Sequence, residues 1–269
     1  MFVARLISGI ILIVIAALVF FFGNIWLAVV SAILALIGSF ELLRVFGMEK
    51  HPLAYVVYLG TIGYYTLLYL NMGQWLPGVL ALMLLASLVI YVLKYPEFKI
   101  QKVTQAMFVF IYVGLLLSFV FQTRELPGGQ WFVWLIFIGS WGSDTCAYVV
   151  GKLFGKHHFS ELSPKKTMEG CIGGVVGAGL IGLIYSCFFP YYEMFIFSPK
   201  IVFPIIVMIA AVISQFGDFA ASAIKRNYDT KDYGTLIPGH GGVLDRFDSV
   251  IFVAPFVYYL LVVTSYIRG

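Results

Sequence analysis

Long apolar runs, one after another with only short breaks, are what most limit the folds open to this chain. Runs of about 17 to 24 residues are the length a helix needs to cross a bilayer, where each segment must satisfy its own backbone hydrogen bonds. We read about nine of them, at roughly 5–22, 25–45, 53–70, 75–93, 106–122, 131–151, 171–189, 201–224 and 246–266. The breaks carry turn-forming residues, among them Gly23-Asn24, Asn71-Met72-Gly73 and Pro127-Gly128-Gly129. Composition agrees, with 61% hydrophobic and only 11% charged residues, against about 25% charged in an ordinary soluble domain. Mean hydropathy is +0.98. A water-soluble core of this size cannot bury so much apolar surface, so soluble Rossmann and barrel folds are set aside. The expected fold is an all-α polytopic integral membrane protein. Met1 to Phe22 reads as an uncleaved first span, because its apolar run is long and no Ala-x-Ala site follows. Cys146, Cys171 and Cys187 lack paired or metal-ligand spacing and read as small apolar packers.

Charge orients the bundle. With the N-terminus and the exits of even-numbered helices on one side, that side holds 14 of the 17 Lys and Arg residues; Arg124, Lys200 and Arg268 fall opposite. The positive-inside bias makes the first side cytoplasmic, so the N-terminus is expected inside and the C-terminus outside. The expected location is the cell (inner) membrane, crossed several times. Of the 13 acids, only Glu125 and Glu193 lie on the outer side. Positive-inside bias does not require acids to follow cations, so their crowding suggests a site facing the cytoplasm. The chain divides at about 130: residues 1–130 hold about five helices without catalytic motifs, and 131–269 hold about four with the polar sequence. No internal repeat of the kind that builds transporters is evident.

Two segments carry chemistry. The first runs from Ser140 through Ser143, Asp144 and Tyr148 to Ser163-Pro164-Lys165-Lys166-Thr167-Met168-Glu169-Gly170. The second runs from Ser214 through Asp218, Ser222, Lys225-Arg226 and Lys231-Asp232 to Pro238-Gly239-His240-Gly241-Gly242, then Asp245-Arg246 and Asp248. Asp144 and Asp218 each lie about two turns from a cytoplasmic helix end, hence at similar depth, and Asp245 and Asp248 share a face three residues apart. Each acid alone could be a structural ion-pair partner. Several converging in one layer suit a divalent metal with oxygen ligands, such as Mg²⁺, so Asp144, Asp218, Asp245 and Asp248 are the candidate metal ligands. Ser140, Ser143, Asp144 and Tyr148 form one polar stripe at helical spacing; Ser214, Asp218, Ser222 and Lys225 form another.

The Gly-rich stretch lets backbone N–H groups approach an anion and opens onto a helix N-terminus, where the dipole favours negative charge. Lys225, Arg226, Lys231 and Arg246 surround it with cations suited to phosphate. A basic Gly-rich loop can equally be a solvated turn. His240 is a candidate general acid or base, or a phosphate donor, beside the plainer reading of a structural hydrogen-bonder. Lys165 and Lys166, flanked by Ser163 and Thr167, read as an anion-binding turn or as simple positive-inside charge. Gly173, Gly174, Gly177 and Gly179 open an apolar span with no preceding strand, so close helix packing is expected rather than dinucleotide binding.

The second segment, from Ser222-x-x-Lys225-Arg226 through Lys231-Asp232 and Pro238-x-His240-Gly241-Gly242 to Asp245-Arg246-x-Asp248, resembles the signature of the phosphatidate cytidylyltransferases, the CDP-diacylglycerol synthases. The first resembles the same family in its Asp144-x-x-Ala147-Tyr148 stretch and its Ser163-to-Gly170 turn, with Met168 at a position often aromatic. The resemblance implies CTP and phosphatidic acid as substrates, CDP-diacylglycerol and pyrophosphate as products, and Mg²⁺ as cofactor, whether one ion, two, or one with a monovalent cation. It also implies a homodimer in the bilayer, with no nucleic-acid partner. Lys225, Arg226, His240, Asp245 and Arg246 become the expected catalytic residues. Ser163, Lys165, Lys166, Thr167, Ser222, Lys231, Gly239, Gly241 and Gly242 become the expected substrate-binding ones. A CTP-dependent lipid-alcohol kinase and an ion-coupled transporter are the competing readings.

Overall fold

The structure, a computed structural model, describes residues 14–158, 163, 166–190, 194–195, 197–236 and 241–266. Among these residues it is helical throughout, with no strand and one isolated bridge between His158 and Thr167. The helices are α1 (residues 14–22 of those described), α2 (Asn24–Val45), α3 (Pro52–Tyr69), α4 (Leu76–Leu93), α5 (Ile100–Glu125), α6 (Gly129–Phe154), α7 (Met168–Ser186), α8 (Pro199–Asn227) and α9 (Leu244–Tyr266). All but α1 and α3 are long and apolar enough to cross a bilayer, seven in all among the described residues. The all-helical, multi-pass expectation is met. The first half of the expected first span lies outside the described residues.

The turns form where the sequence places them. Gly23 and Asn24 (φ 57° and 46°), Asn71 (φ 56°) and Gly128 (φ 78°) take the left-handed conformation that glycine and asparagine tolerate best. Pro52 occupies the first turn of α3, and Nδ1 of His51 caps that turn by accepting the Leu53 N–H at 3.3 Å.

The chain forms two compact units, residues 1–122 with 227–246, and 123–226 with 247–269. In the first, α2 buries Ala28, Ser31, Ala35, Gly38 and Leu42 at alternating spacings of three and four, the stripe that one packed helix face requires. Gly38 allows Val113 and Leu244 to close on α2, and Gly60 allows Met83 to close on α3.

In the second unit, small residues set the helix spacing. Gly170, Gly173, Gly174 and Gly177 of α7 face Ala147, Val150, Ser143 and Cys146 of α6, so the glycine run packs helices as expected. Gly139 meets Ala210 of α8, and Gly182 meets Val207. At one end of α6, Trp131 and Phe132 join Tyr185, Phe189, Phe195 and Phe203 in an aromatic cluster. A π turn over Ile138–Gly142 interrupts α6 just before Asp144. Its extra residue rotates the remainder of α6 by about 100° relative to an unbroken α-helix. The expected single stripe is therefore divided: Ser140 is buried and donates to the Ile136 carbonyl at 2.8 Å, whereas Tyr148 is 68% exposed.

Candidate active site

Within the unit of residues 123–226 and 247–269, three helices each deliver one carboxylate: Asp144 from α6, Asp218 from α8 and Asp248 from α9. Asp248 is the most enclosed, 8% exposed, and its Oδ1 accepts the Ser249 N–H at 2.8 Å. The charged groups within electrostatic reach of it are Asp218, Lys225 and Asp144. Gly217 makes this approach possible. A methyl there would stand 3.1 Å from the carbonyl oxygen of Asp248 and from Cα of Ser249, so α8 and α9 touch backbone to backbone beside Asp218. The expected stripe on α8 holds its face, with Ser214 fully buried and Asp218, Ser222 and Lys225 half-buried; Arg226 is exposed.

Lys166 reaches Asp218 directly, Nζ to Oδ2 at 2.6 Å, with its ammonium 4.7 Å from the centre of the Phe219 ring. The turn that delivers it closes with the Lys166 N–H on the Ser163 carbonyl at 3.0 Å. Thr167, next in sequence, is engaged as the cap of α7, its hydroxyl accepting the Gly170 N–H at 3.2 Å. Glu169 fastens the preceding loop by accepting the backbone N–H groups of Lys156 and His157 and pairing with His157 Nδ1 at 2.6 Å.

Three buried hydroxyls accompany the three acids: Ser143, Ser214 and Ser249, none with a hydrogen-bond partner among the described residues. A buried hydroxyl without a partner costs about 1–3 kcal/mol, and such atoms in native proteins call for an explanation. The carboxylates are oxygen donors, the chemistry Mg²⁺ takes. Among the described residues no three His, Cys, Asp or Glu side chains converge tightly enough to enclose one ion, and the cation on Asp218 is the Lys166 ammonium. The donor chemistry of Asp144, Asp218 and Asp248 nevertheless fits a hard cation.

The unit of residues 1–122 and 227–246 holds the Gly-rich stretch. Gly241 adopts φ +82°, and a side chain there would also meet Asp245 Oδ2 at 2.8 Å. That oxygen accepts the N–H groups of Tyr233 at 2.8 Å and Gly242 at 2.9 Å. Asp245, half-buried, therefore has one oxygen committed to the loop, in a different unit from the three-acid cluster. Arg246 is half-buried and Lys231 exposed. Lys165, Gly239 and His240 lie outside the described residues.

Sequence reasoning missed Glu41. This acid of α2 is 3% exposed and accepts the Val243 N–H at 3.0 Å and the Leu244 N–H at 2.8 Å. The N-terminus of α9, expected to be open to a phosphate, thus has these two donors taken by the chain's own carboxylate. The available signal was an acid inside an apolar span, a costly placement that normally marks a partner or a role.

A profile of the Cytidylyltransferase family matches residues 3–264, nearly the whole chain. The chain belongs to that family. Among curated relatives, phosphatidate cytidylyltransferase of Bacillus subtilis (strain 168) is 40% identical over 157 residues, 58% of this chain and 56% of that protein. The enzyme of the same name from Synechocystis sp. is 40% identical over 141 residues, covering 52% of this chain and 46% of the relative. That from Rickettsia felis is 43% identical over 134 residues, covering 49% and 59%. The matched stretches span about half the length of these relatives.

Proposed function

We propose that this chain transfers the cytidylyl group of CTP to phosphatidic acid, giving CDP-diacylglycerol and pyrophosphate. The observation that carries the reading is that three otherwise apolar helices bring Asp144, Asp218 and Lys225 within electrostatic reach of the buried Asp248, with Lys166 paired to Asp218 from the turn before α7. The names of its relatives agree with it. A phosphate oxygen of the lipid attacks the α-phosphorus of CTP; the bond from that phosphorus to the bridging oxygen breaks, and pyrophosphate leaves with the electron pair. The attacking oxygen is already largely ionised near neutral pH, so no strong protein base is required. The obstacle is repulsion between two polyanions. Lys166 and Lys225 offer compensating charge beside the acids, and Arg226, Lys231 and Arg246 offer more along the signature segment.

Asp144, Asp218 and Asp248 would hold Mg²⁺, which when bound supplies neutralisation of phosphate charge. The lipid keeps its acyl chains in the bilayer, so carboxylates set on spanning helices suit a headgroup that need not leave the membrane. We place the protein in the cell membrane as a homodimer with this chemistry facing the cytoplasm, on the strength of the Lys and Arg distribution and the family resemblance. The test is a product-resolved assay with purified protein, labelled CTP, phosphatidate and Mg²⁺. CDP-lipid and pyrophosphate are expected. Release of CDP with a newly phosphorylated lipid would replace the reading by a CTP-dependent lipid kinase, and no nucleotide turnover beside a working control would sink it.

A further inference from the structure

Two carboxylates together hold four backbone N–H groups of the signature loop. Asp245, within the signature, takes those of Tyr233 and Gly242; Glu41, about two hundred residues away in sequence, takes those of Val243 and Leu244. Each Glu41 oxygen accepts one N–H, Oε1 from Val243 and Oε2 from Leu244, so both oxygens are used. The fit is close on every side. A methyl group on Gly234 or on Gly242 would run into the Glu41 carboxylate. One turn along α2, Arg44 adds a second strut, its Nη2 donating to the Tyr233 carbonyl at 2.7 Å.

The first N–H groups of a helix have no partner within the helix, and a cap usually comes from a residue just before it. Here part of the cap comes from another helix, so the start of α9 is fixed to α2 rather than only to its own loop. Glu41 is buried inside an apolar span, where a carboxylate without partners would be costly. Its two N–H donors offset that cost, and in return they are held in one place.

We propose that Glu41 is a positioning residue: it fixes the Gly241–Arg246 segment in the geometry that handles phosphate. Gly241 and Gly242 present backbone beside it, and Asp245 and Arg246 follow in the first turn of α9. Residues 1–122 thus contribute directly to setting the signature segment, through Glu41 and Arg44. This inference rests on the cytidylyltransferase reading for its kinetic consequence, but not for its structural one.

The test uses the full-length protein with Glu41→Gln. The amide keeps shape and one acceptor but turns its nitrogen toward a backbone N–H, so one of the two bonds is lost. Amide hydrogen exchange in the 233–244 segment is expected to rise roughly ten- to hundredfold, the range for a lost hydrogen bond to a charged group, while α6 and α7 keep wild-type protection. KM for CTP or for phosphatidate is expected to rise about tenfold on the same grounds. KM does not depend on how many molecules are folded, so partial unfolding cannot produce that rise. Unchanged exchange in the segment overturns the proposal, and so do KM values within twofold of wild type for both substrates. If Glu41→Gln does not fold, Arg44→Met removes the outer strut and is expected to move exchange and KM in the same direction by a smaller factor; no movement in either overturns the proposal. A wild-type protein without CTP turnover would instead defeat the functional reading, and the exchange measurement would still decide whether Glu41 holds the loop.

Discussion

Asp248 is a buried carboxylate on which two like charges act, with Lys225 opposing them and one backbone N–H as hydrogen-bond donor. Holding it ionised there works against folding, and such residues persist where charge is needed for function. The isosteric change Asp248→Asn separates the two demands. It keeps the acceptor for the Ser249 N–H while removing the charge that Asp218 and Asp144 repel. Its melting temperature in detergent should therefore equal or exceed that of wild type. CDP-lipid formation should fall by about a hundredfold or more, the usual consequence of removing one electrostatic group aimed at developing charge. Near-normal turnover would remove Asp248 from the site, and a loss of turnover matched by a loss of stability would make its role structural. Asp144, Asp218 and Asp248 were legible as a group because acids in apolar helices are rare and their depths could be counted from the helix ends. Glu41 carried the same signal, but its partners were not legible, since periodicity shows that a helix face is buried but not what lies against it. Nothing in the residues around 41 points to 243 and 244.

At the level of helices, the active geometry depends on how closely backbones approach. Gly217 lies beside Asp218, and a methyl there would stand 3.1 Å from backbone atoms of Asp248 and Ser249, atoms that cannot swing aside as a flexible side chain would. Gly217→Ala should destabilise the protein by about 1–3 kcal/mol through overpacking and should lower turnover, because α8 and α9 must part where their acids meet. Gly63 of α3 supplies the contrast, since a methyl there would meet nothing within 4 Å. Gly63→Ala should leave turnover unchanged and hold or raise the melting temperature, with about 1 kcal/mol available from helix propensity. Equal effects from the two substitutions would show that glycine content, not close approach, governs stability. The glycine run of α7 could be read as a packing face from sequence because it starts an apolar span without a strand before it. The π turns at Phe110–Leu115 and Ile138–Gly142 could not. One inserted residue leaves an apolar pattern looking intact while rotating every later side chain of the helix, which is how Tyr148 came to be expected on the same stripe as Ser140.

For the molecule as a whole, orientation in the membrane depends on parity: one span too many or too few reverses every later loop. Seven described helices qualify as spans by length and hydropathy, and α3 does not, its 18 residues including Tyr55, Tyr58, Tyr64, Tyr65 and Tyr69. Tyrosine lowers hydropathy without barring a helix from the bilayer, since its ring is apolar and its hydroxyl can bond or reach an interface. If α3 crosses, the exposed residues Lys50 and Gln74, which bracket it, lie on opposite faces of the membrane. Single-cysteine variants Lys50→Cys and Gln74→Cys, made after replacing Cys146, Cys171 and Cys187, test this with a membrane-impermeant maleimide on intact cells. Gln74→Cys should label from outside, and Lys50→Cys only after permeabilisation. Labelling of both from one side would show that α3 does not cross. The Lys and Arg residues before α3 would then lie opposite the face assigned to them, or those after it would. The proposed cytoplasmic placement of the carboxylates of α6, α8 and α9, which rests on that charge asymmetry, would have to be rebuilt from a different span count.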